Sequence, residues 1–328
     1  MNHSCLRKAA PLAAALLLST CAASGRSSSP PIRLQDQSSD HAIHVQTQMV
    51  DLAVSVINHQ GRFVPGLTKE DFRVYEDSRL QQIALFDSTD VPVTVGILVD
   101  HSGSMAPRLD QVAAAAAAFV TSSNPHDQIF VDNFNETVRK GLPPGIEFSA
   151  DSKLLSSAIS AQHASGETAL YDAIAAGLHS LSDGTGLRQA LVIITDGGDN
   201  ASRLSLSGVM ALAGRAKAAM YFIGISDPYD EDRNPRVLKR LAKVTGGRVY
   251  FPQSLDGVTS ICREIAQDIR EQYTIGYIPS NGDYNGAFRE VRVVVSAPGR
   301  GRLIVHTRAG YFADATPAPS PISAAAIP

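Results

Sequence analysis

The chain has 328 residues, of which 44% are hydrophobic and 19% charged, with a formal net charge of -3. That is the composition of an ordinary soluble globular protein, long enough for one large domain and one small one. With no basic excess and no Lys/Arg cluster, a nucleic-acid partner is excluded, and three cysteines supply no disulfide framework, so a packed core must carry the stability.

At the start, Arg7 and Lys8 precede an apolar run over residues 9–18, and the small residues Ser19, Thr20, Cys21, Ala22, Ala23 and Ser24 follow. A basic start, a short apolar centre and a small-residue exit describe a secretory signal peptide over residues 1–24. The run is too short to cross a bilayer as a helix. Leu18-Ser19-Thr20-Cys21 also resembles a bacterial lipobox, in which the Cys is lipidated and becomes the mature N-terminus, although Thr before the Cys departs from that pattern. Plain cleavage around Ala22 to Ser24 is the other reading. Either way the expectation is an exported protein of the periplasm, envelope or medium, touching a membrane only through such an anchor. Residues 25–42, rich in Ser, Pro and Gln, read as a flexible linker.

Residues 43–90 show strand-like alternation, with Val50, Leu52, Val54 and Val56 on one face and a turn at Asn58-His59-Gln60-Gly61. Phe72-Arg73-Val74-Tyr75 and Gln82-Ile83-Ala84-Leu85-Phe86 add two strands around the turn Glu76-Asp77-Ser78. Residues 91–272 then alternate short apolar runs with helix-like stretches. The runs cover 93–99, 129–134, 190–195, 220–225 and 248–251; the helices 108–122, 152–162, 169–181, 206–218, 235–244 and 255–270. Fully apolar strands between amphipathic helices predict an α/β fold, a doubly wound, mostly parallel, Rossmann-like sheet covered on both faces. The Ala113 to Ala118 run suits a helix packed closely on that sheet. Cys262 stands alone on an apolar helix face and reads as a small buried hydrophobe.

Residues 273–312 return to strands at Gln272-Tyr273-Thr274-Ile275-Gly276-Tyr277, at 289–295 and at 303–306. Neither flank has enough strands to stand alone. The two flanks are therefore expected to pair into one small all-β domain with the α/β domain inserted between them. Residues 313–328, Pro/Ala/Ser-rich, read as a disordered tail.

Ligands of an open parallel sheet gather beyond the carboxyl ends of its strands. Asp100 and Asp196 each follow an apolar strand directly, so both arrive at that edge. The loop Asp100-His101-Ser102-Gly103-Ser104 brings two hydroxyls, and Thr168, after Gly166-Glu167, brings a third. Two carboxylates and three hydroxyls are hard oxygen donors that suit Mg2+ first, and Mn2+ or Ca2+ as well, rather than zinc or copper. So few charged ligands leave the cation under-neutralised and ready for a carboxylate from outside.

Asp100-His101-Ser102-Gly103-Ser104, Thr168 and Asp196-Gly197-Gly198-Asp199 together resemble the metal ion-dependent adhesion site of von Willebrand factor A domains, over residues 91–272. The resemblance implies that Ser102, Ser104 and Thr168 touch the metal directly or by turns, while Asp100 and Asp196 often act through water. The flanks Gly66-Leu67-Thr68-Lys69-Glu70-Asp71-Phe72-Arg73-Val74-Tyr75-Glu76-Asp77, Tyr273-Thr274-Ile275-Gly276-Tyr277 and Arg308-Ala309-Gly310-Tyr311 resemble a bacterial exported group, the VWFA-related proteins. That group as a whole implies no defined biochemical activity.

The rival readings are weaker. Asp100 and Asp196 alone would read as helix N-caps. His101 reads as a solvent-facing loop residue, and Asp199 either as an exposed carboxylate or as an adjuster of the site. An aspartyl-phosphate phosphohydrolase would want a second Asp where Ser102 stands, and a serine hydrolase a Gly two residues before its Ser and a partner His. The expected function is a non-enzymatic, adhesion- or receptor-like module whose metal is completed by an Asp or Glu of a protein partner. A cell-envelope scaffold with a structural metal is the alternative, and a Mg2+-dependent hydrolase the remoter one.

Overall fold

A computed structural model describes residues 49–225, 234–252 and 256–314. The expected signal peptide, Cys21 and the linker lie outside the described residues, as does the tail from residue 315.

The N-terminal flank contributes β1 (Val50–Asn58), β2 (Phe72–Glu76), β3 (Arg79–Gln81) and β4 (Ile83–Asp87). The α/β region follows with β5 (Val93–Asp100), α1 (Leu109–Thr121), β6 (Gln128–Phe134), β7 (Val138–Lys140), α2 (Ser152–Ile159) and α3 (Leu170–Leu181). It continues through β8 (Arg188–Thr195), α4 (Leu206–Arg215), β9 (Ala219–Gly224), α5 (Pro235–Thr245), β10 (Val249–Tyr250) and α6 (Asp256–Arg270). The C-terminal flank holds β11 (Tyr273–Tyr277), β12 (Phe288–Val295), β13 (Leu303–His306) and β14 (Gly310–Phe312).

The α/β region is a sheet in the order β10-β9-β8-β5-β6-β7, parallel except for the last pair. All eight positions of β5 are buried, as its continuous apolar run requires of a strand covered on both faces. Gly96 matters to that packing, because a Cβ there would lie 2.3 Å from the Phe130 ring. The chain leaves β5 through α1 to β6 on one side, while β8 lies on the other, so the strand order reverses between β5 and β8. That switch point is where the fold opens a crevice for ligands.

Several elements differ from the sequence reading. Residues 138–140, which the sequence reading assigns to no element, form the antiparallel edge strand β7. β10 keeps only two paired residues, and α2 stops at Ile159, three residues short of 162. A tight turn over Gly103–Arg108, with Pro107 inside it, precedes α1. The Ala run faces its neighbours α6 and α2, where the small side chains Ala115 and Ala116 allow close approach. Cys262 is fully buried in the core, and burial alone pushes its thiol up to about 12.

The flanks pair strand by strand across the chain. β1 runs antiparallel to both β11 and β13, and β12 antiparallel to β2, giving two four-stranded sheets in the orders β13-β1-β11-β4 and β14-β12-β2-β3. Their shared core includes Leu52, Val54, Phe72, Val74, Tyr273, Ile275, Tyr277, Val291 and Val293. The turn at Asp77 and Ser78 has positive φ at both residues, 46° and 67°, the backbone that a two-residue hairpin demands. Its second strand is β3, however, and β4 crosses to the other sheet beside β11. The strand read over 82–86 is β4, but β3 intervenes after the turn, and the chain changes sheet near Gln82. Ala313 and Asp314, read as the start of the tail, are held: the Ala313 N–H donates to the Ala287 carbonyl at 2.9 Å, and Asp314 pairs with Arg215.

The β-sandwich and the α/β region are tied by buried polar groups. Ser55 and Tyr221 both donate to the Asp268 carboxylate, Tyr221 at 2.9 Å. The Arg188 guanidinium donates to the carbonyls of Arg270 at 2.8 Å and Thr89 at 3.2 Å.

Candidate metal centre

Because β5 and β8 are parallel neighbours, their carboxyl ends reach the same edge of the sheet, and with them Asp100 and Asp196. Asp100 is 0% exposed and Asp196 5%. One Asp100 oxygen accepts from the Ser102 N–H at 2.9 Å, the other from the Thr195 hydroxyl at 2.7 Å. The Ser102 and Ser104 hydroxyls lie 3.1 Å apart, and Ser104 donates to Asp196. A second Asp196 oxygen accepts from the Gly198 N–H at 3.3 Å. Four of the five expected residues therefore form one connected cluster.

Thr168 reaches the same edge through backbone bonds. The Gly103 N–H donates to the Gly166 carbonyl at 3.0 Å, and the Ser165 N–H to the His101 carbonyl at 2.9 Å. These stitch the Thr168 loop to the Asp100 loop. Gly166 takes φ +75°, a left-handed backbone that favours Gly. The Thr168 N–H donates to the Asn200 side chain at 2.8 Å, and the Thr168 carbonyl accepts from the N–H groups of Asn200 and Ala201, both at 3.0 Å. With its backbone so fixed, no protein group bonds the Thr168 hydroxyl among the described residues.

The electrostatics identify what such a site lacks. Burial first, and then the nearby Asp196 carboxylate, push the Asp100 carboxyl up to about 6. No Lys, Arg or His forms an ion pair with either carboxylate among the described residues. A buried carboxylate without a partner is costly, and cations are the usual remedy. Among the described residues no three His, Cys, Asp or Glu side chains converge, so a metal here would depend on the hydroxyls. Two carboxylates with three hydroxyls form a hard donor set, and that set fits Mg2+, Mn2+ or Ca2+.

Two residues near the site, His101 and Asp199, behave differently from their sequence reading, and the rival reading of Asp100 and Asp196 fails. His101 is not solvent-facing but 1% exposed. Its N–H and carbonyl are both taken up in backbone bonds, and the ring is turned beneath the loop beside Asn133, Ile159 and Gln162. Burial pushes its imidazole down, and neither ring nitrogen finds a hydrogen-bond partner among the described residues. Asp199 is half-buried and accepts from the Tyr171 N–H at 3.1 Å and from the Ser202 hydroxyl, holding the first turn of α3. Neither Asp100 nor Asp196 caps a helix; each holds the N–H two residues on, inside its own loop.

Sequence reasoning missed Thr195 and Asn200. Thr195 donates to Asp100 and accepts from the Gly197 N–H at 3.0 Å, linking the two carboxylate loops. In the sequence it reads as the last β-branched residue of a strand. Asn200 lies four residues beyond Asp196, and only the fold brings it to Thr168.

Residues 94–264, more than half of the chain, match the family model described as the von Willebrand factor type A domain. No curated protein sequence matches the chain. Among solved structures, a von Willebrand factor type A protein from Catenulispora acidiphila is similar at 18% identity and TM-score 0.48, over 80% of this chain and 74% of that one. The conserved hypothetical protein BatB from Bacteroides thetaiotaomicron is similar at 19% identity and TM-score 0.42, over 54% of this chain and 98% of that one. The vWF domain of the type V pili tip protein Mfa5 from Porphyromonas gingivalis gives 13% and 0.45, over 55% and 97%. At these levels the family assignment rests on the sequence match.

Proposed function

Since the chain belongs to the von Willebrand factor type A domain family, we propose that it is an exported, non-enzymatic protein-binding module whose metal loop holds a divalent cation for a partner's carboxylate. The observation that carries the reading is the pair of buried carboxylates, Asp100 and Asp196, linked through Ser102 and Ser104, with Thr168 in the adjoining loop and no ion pair to either carboxylate among the described residues. Ser102, Ser104 and Thr168 would supply neutral oxygens, and Asp100 and Asp196 the negative charge. A cation bound there would be under-neutralised and would attract an acidic side chain. Thr195 and Asn200 hold the donors in place, and the Gly103–Gly166 and His101–Ser165 bonds fix the distance between the two loops. Export rests on the basic, apolar and small-residue sequence of residues 1–24.

A binding role is favoured over hydrolysis by the company that the hydroxyls keep. Ser104 bonds Ser102 and Asp196, and the imidazole of His101, in the same loop, is turned beneath it. No histidine or lysine bonds either serine hydroxyl among the described residues, and the Asp196 carboxylate that Ser104 meets is a metal donor in this reading.

Calorimetric titration of the full chain with MgCl2 and MnCl2 tests the metal. One binding event, lost in Asp196→Ala, is expected. A labelled peptide bearing a single Asp then tests completion of the site: it should bind with Mg2+ and be released by chelator. Metal uptake without peptide binding would overturn the partner reading. Loss of the folded state in chelator would favour a scaffold with a structural metal.

A further inference from the structure

Apart from the metal loop, a crevice of about 620 Å3 runs along the junction of α5 and β10 with the β-sandwich. Its floor is apolar, with Val249, the exposed ring of Phe251 and Val305 among its residues. Four cations line it, Lys239, Lys243, Arg248 and Arg292, against the single carboxylate of Glu290. Arg248 is engaged by Glu264 at 2.9 Å. Lys239, Lys243 and Arg292 form no ion pair among the described residues. Lys239 sits over the Phe251 ring at 5.6 Å and Arg292 over the Tyr75 ring at 4.5 Å, so both cations are held against aromatic faces. Lys243 also offsets the partial negative charge at the C-terminal end of α5. Burial and the Arg248 charge push the His306 imidazole down, so it adds no cation of its own.

Two strands border this crevice, and each is the last of its sheet. β10 pairs only with β9, and β13 only with β1. Edge strands present backbone groups to an extended chain. An apolar floor, unpaired cations at the rim and two strand edges are complementary to one kind of occupant. We infer that the crevice between α5, β10 and the sandwich is a docking site for an extended segment of a protein partner that alternates acidic and apolar side chains. It lies at the junction of the two parts of the fold, and none of its lining residues belongs to the metal loop. A partner that engages both places would hold the α/β region and the sandwich together.

The experiment uses the full chain and a fluorescein-labelled peptide alternating Glu and Leu, read by anisotropy in the presence of chelator. Its Lys/Leu counterpart and vesicles of phosphatidylglycerol are the comparison probes. Binding of the Glu/Leu peptide is expected, weakened by NaCl and by about tenfold in Lys239→Glu/Arg292→Glu, in line with reversal of two exposed charges. Phe251→Ala should weaken it as well, while the circular dichroism of both variants stays that of the parent. The inference is overturned by equal affinity for the Lys/Leu peptide, by affinity unchanged in the double variant, or by absence of binding. Binding of the vesicles in place of the peptide would also overturn it, and would make the basic rim a lipid contact.

Discussion

Two of the places where the molecule buries carboxylates treat them in opposite ways. In the sandwich, Glu76 is 2% exposed and meets Arg289, itself 3% exposed, at 3.2 Å. The other Glu76 oxygen accepts from the Tyr277 and Tyr311 hydroxyls, both at 2.8 Å. Arg289 donates further to the Asn281 carbonyl at 2.8 Å and to that of Asp283. Burial, together with bonding to Glu76, pushes both tyrosine hydroxyls well up, so they remain donors throughout the physiological range. At the sheet edge, Asp100 and Asp196 face each other with hydroxyls and N–H groups but no cation. One cluster is neutralised from within. The other has the donors and not the charge, and that is what distinguishes a strut from a socket.

The largest test of this contrast removes the internal cation. Arg289→Met would strand the buried Glu76 and is expected to cost about 3–5 kcal/mol in urea unfolding. It should leave the metal affinity of the α/β region unchanged. A loss of metal binding in that variant would mean that the two places are coupled.

The second test is pH dependence in chelator. The Asp100 carboxyl is raised from 3.8 to about 6 in the folded chain, so between those values the folded state binds more protons than the unfolded one. Stability from this group is therefore present at low pH and lost as pH rises toward about 6, by an amount on the order of 3 kcal/mol. Burial also pushes the Asp132 carboxyl up to about 6, so Asp100→Asn should reduce that slope without abolishing it, and Mg2+ should reduce it in the parent chain.

Thr195→Val is a smaller perturbation. It removes the donor to Asp100 and the acceptor for Gly197, at an expected cost of about 1–3 kcal/mol. Titration with MnCl2 should show metal affinity reduced by about 10–100-fold, as is usual when a group that orients a ligand is lost. Smallest in stability is Thr168→Ala, expected within about 0.5 kcal/mol of the parent because no protein group bonds its hydroxyl. Its effect should appear in metal affinity alone, and an unfolded variant would argue that Thr168 is a structural residue.

Much of this was readable in the sequence where burial leaves a continuous trace. β5 and β8 are covered on both faces, so their residues form unbroken apolar runs, and the Asp that ends each run is placed by the parallel arrangement itself. The pairing of the flanks followed from there being too few strands on either side. Less visible were features whose cause lies in another part of the chain. Thr195 looks like any strand residue until Asp100 is set beside it. His101 sits in a loop by sequence, yet Asn133 and Gln162 close over it. The switch of sheets near Gln82 has no periodic signal, since alternation on β3 and β4 continues through it. The basic crevice draws Lys239 and Lys243 from a helix and Arg292 from a distant strand, and no window of sequence holds them together.

The pairing of Val50 with Tyr277 and of Asn58 with Leu303 sets an order of events. β1 leaves the ribosome more than two hundred residues before its partners β11 and β13. Until they arrive it is an apolar strand with both edges open, a template for wrong pairing. The α/β region can form its own sheet in that interval, from strands that are near in sequence, and so bring the two ends of the sandwich together. Sequence separation of this kind slows folding. A chain cut short after α6 would therefore keep its metal loop and lose both neighbours of β1, which would make truncation at that point a route to aggregation rather than to a smaller working domain.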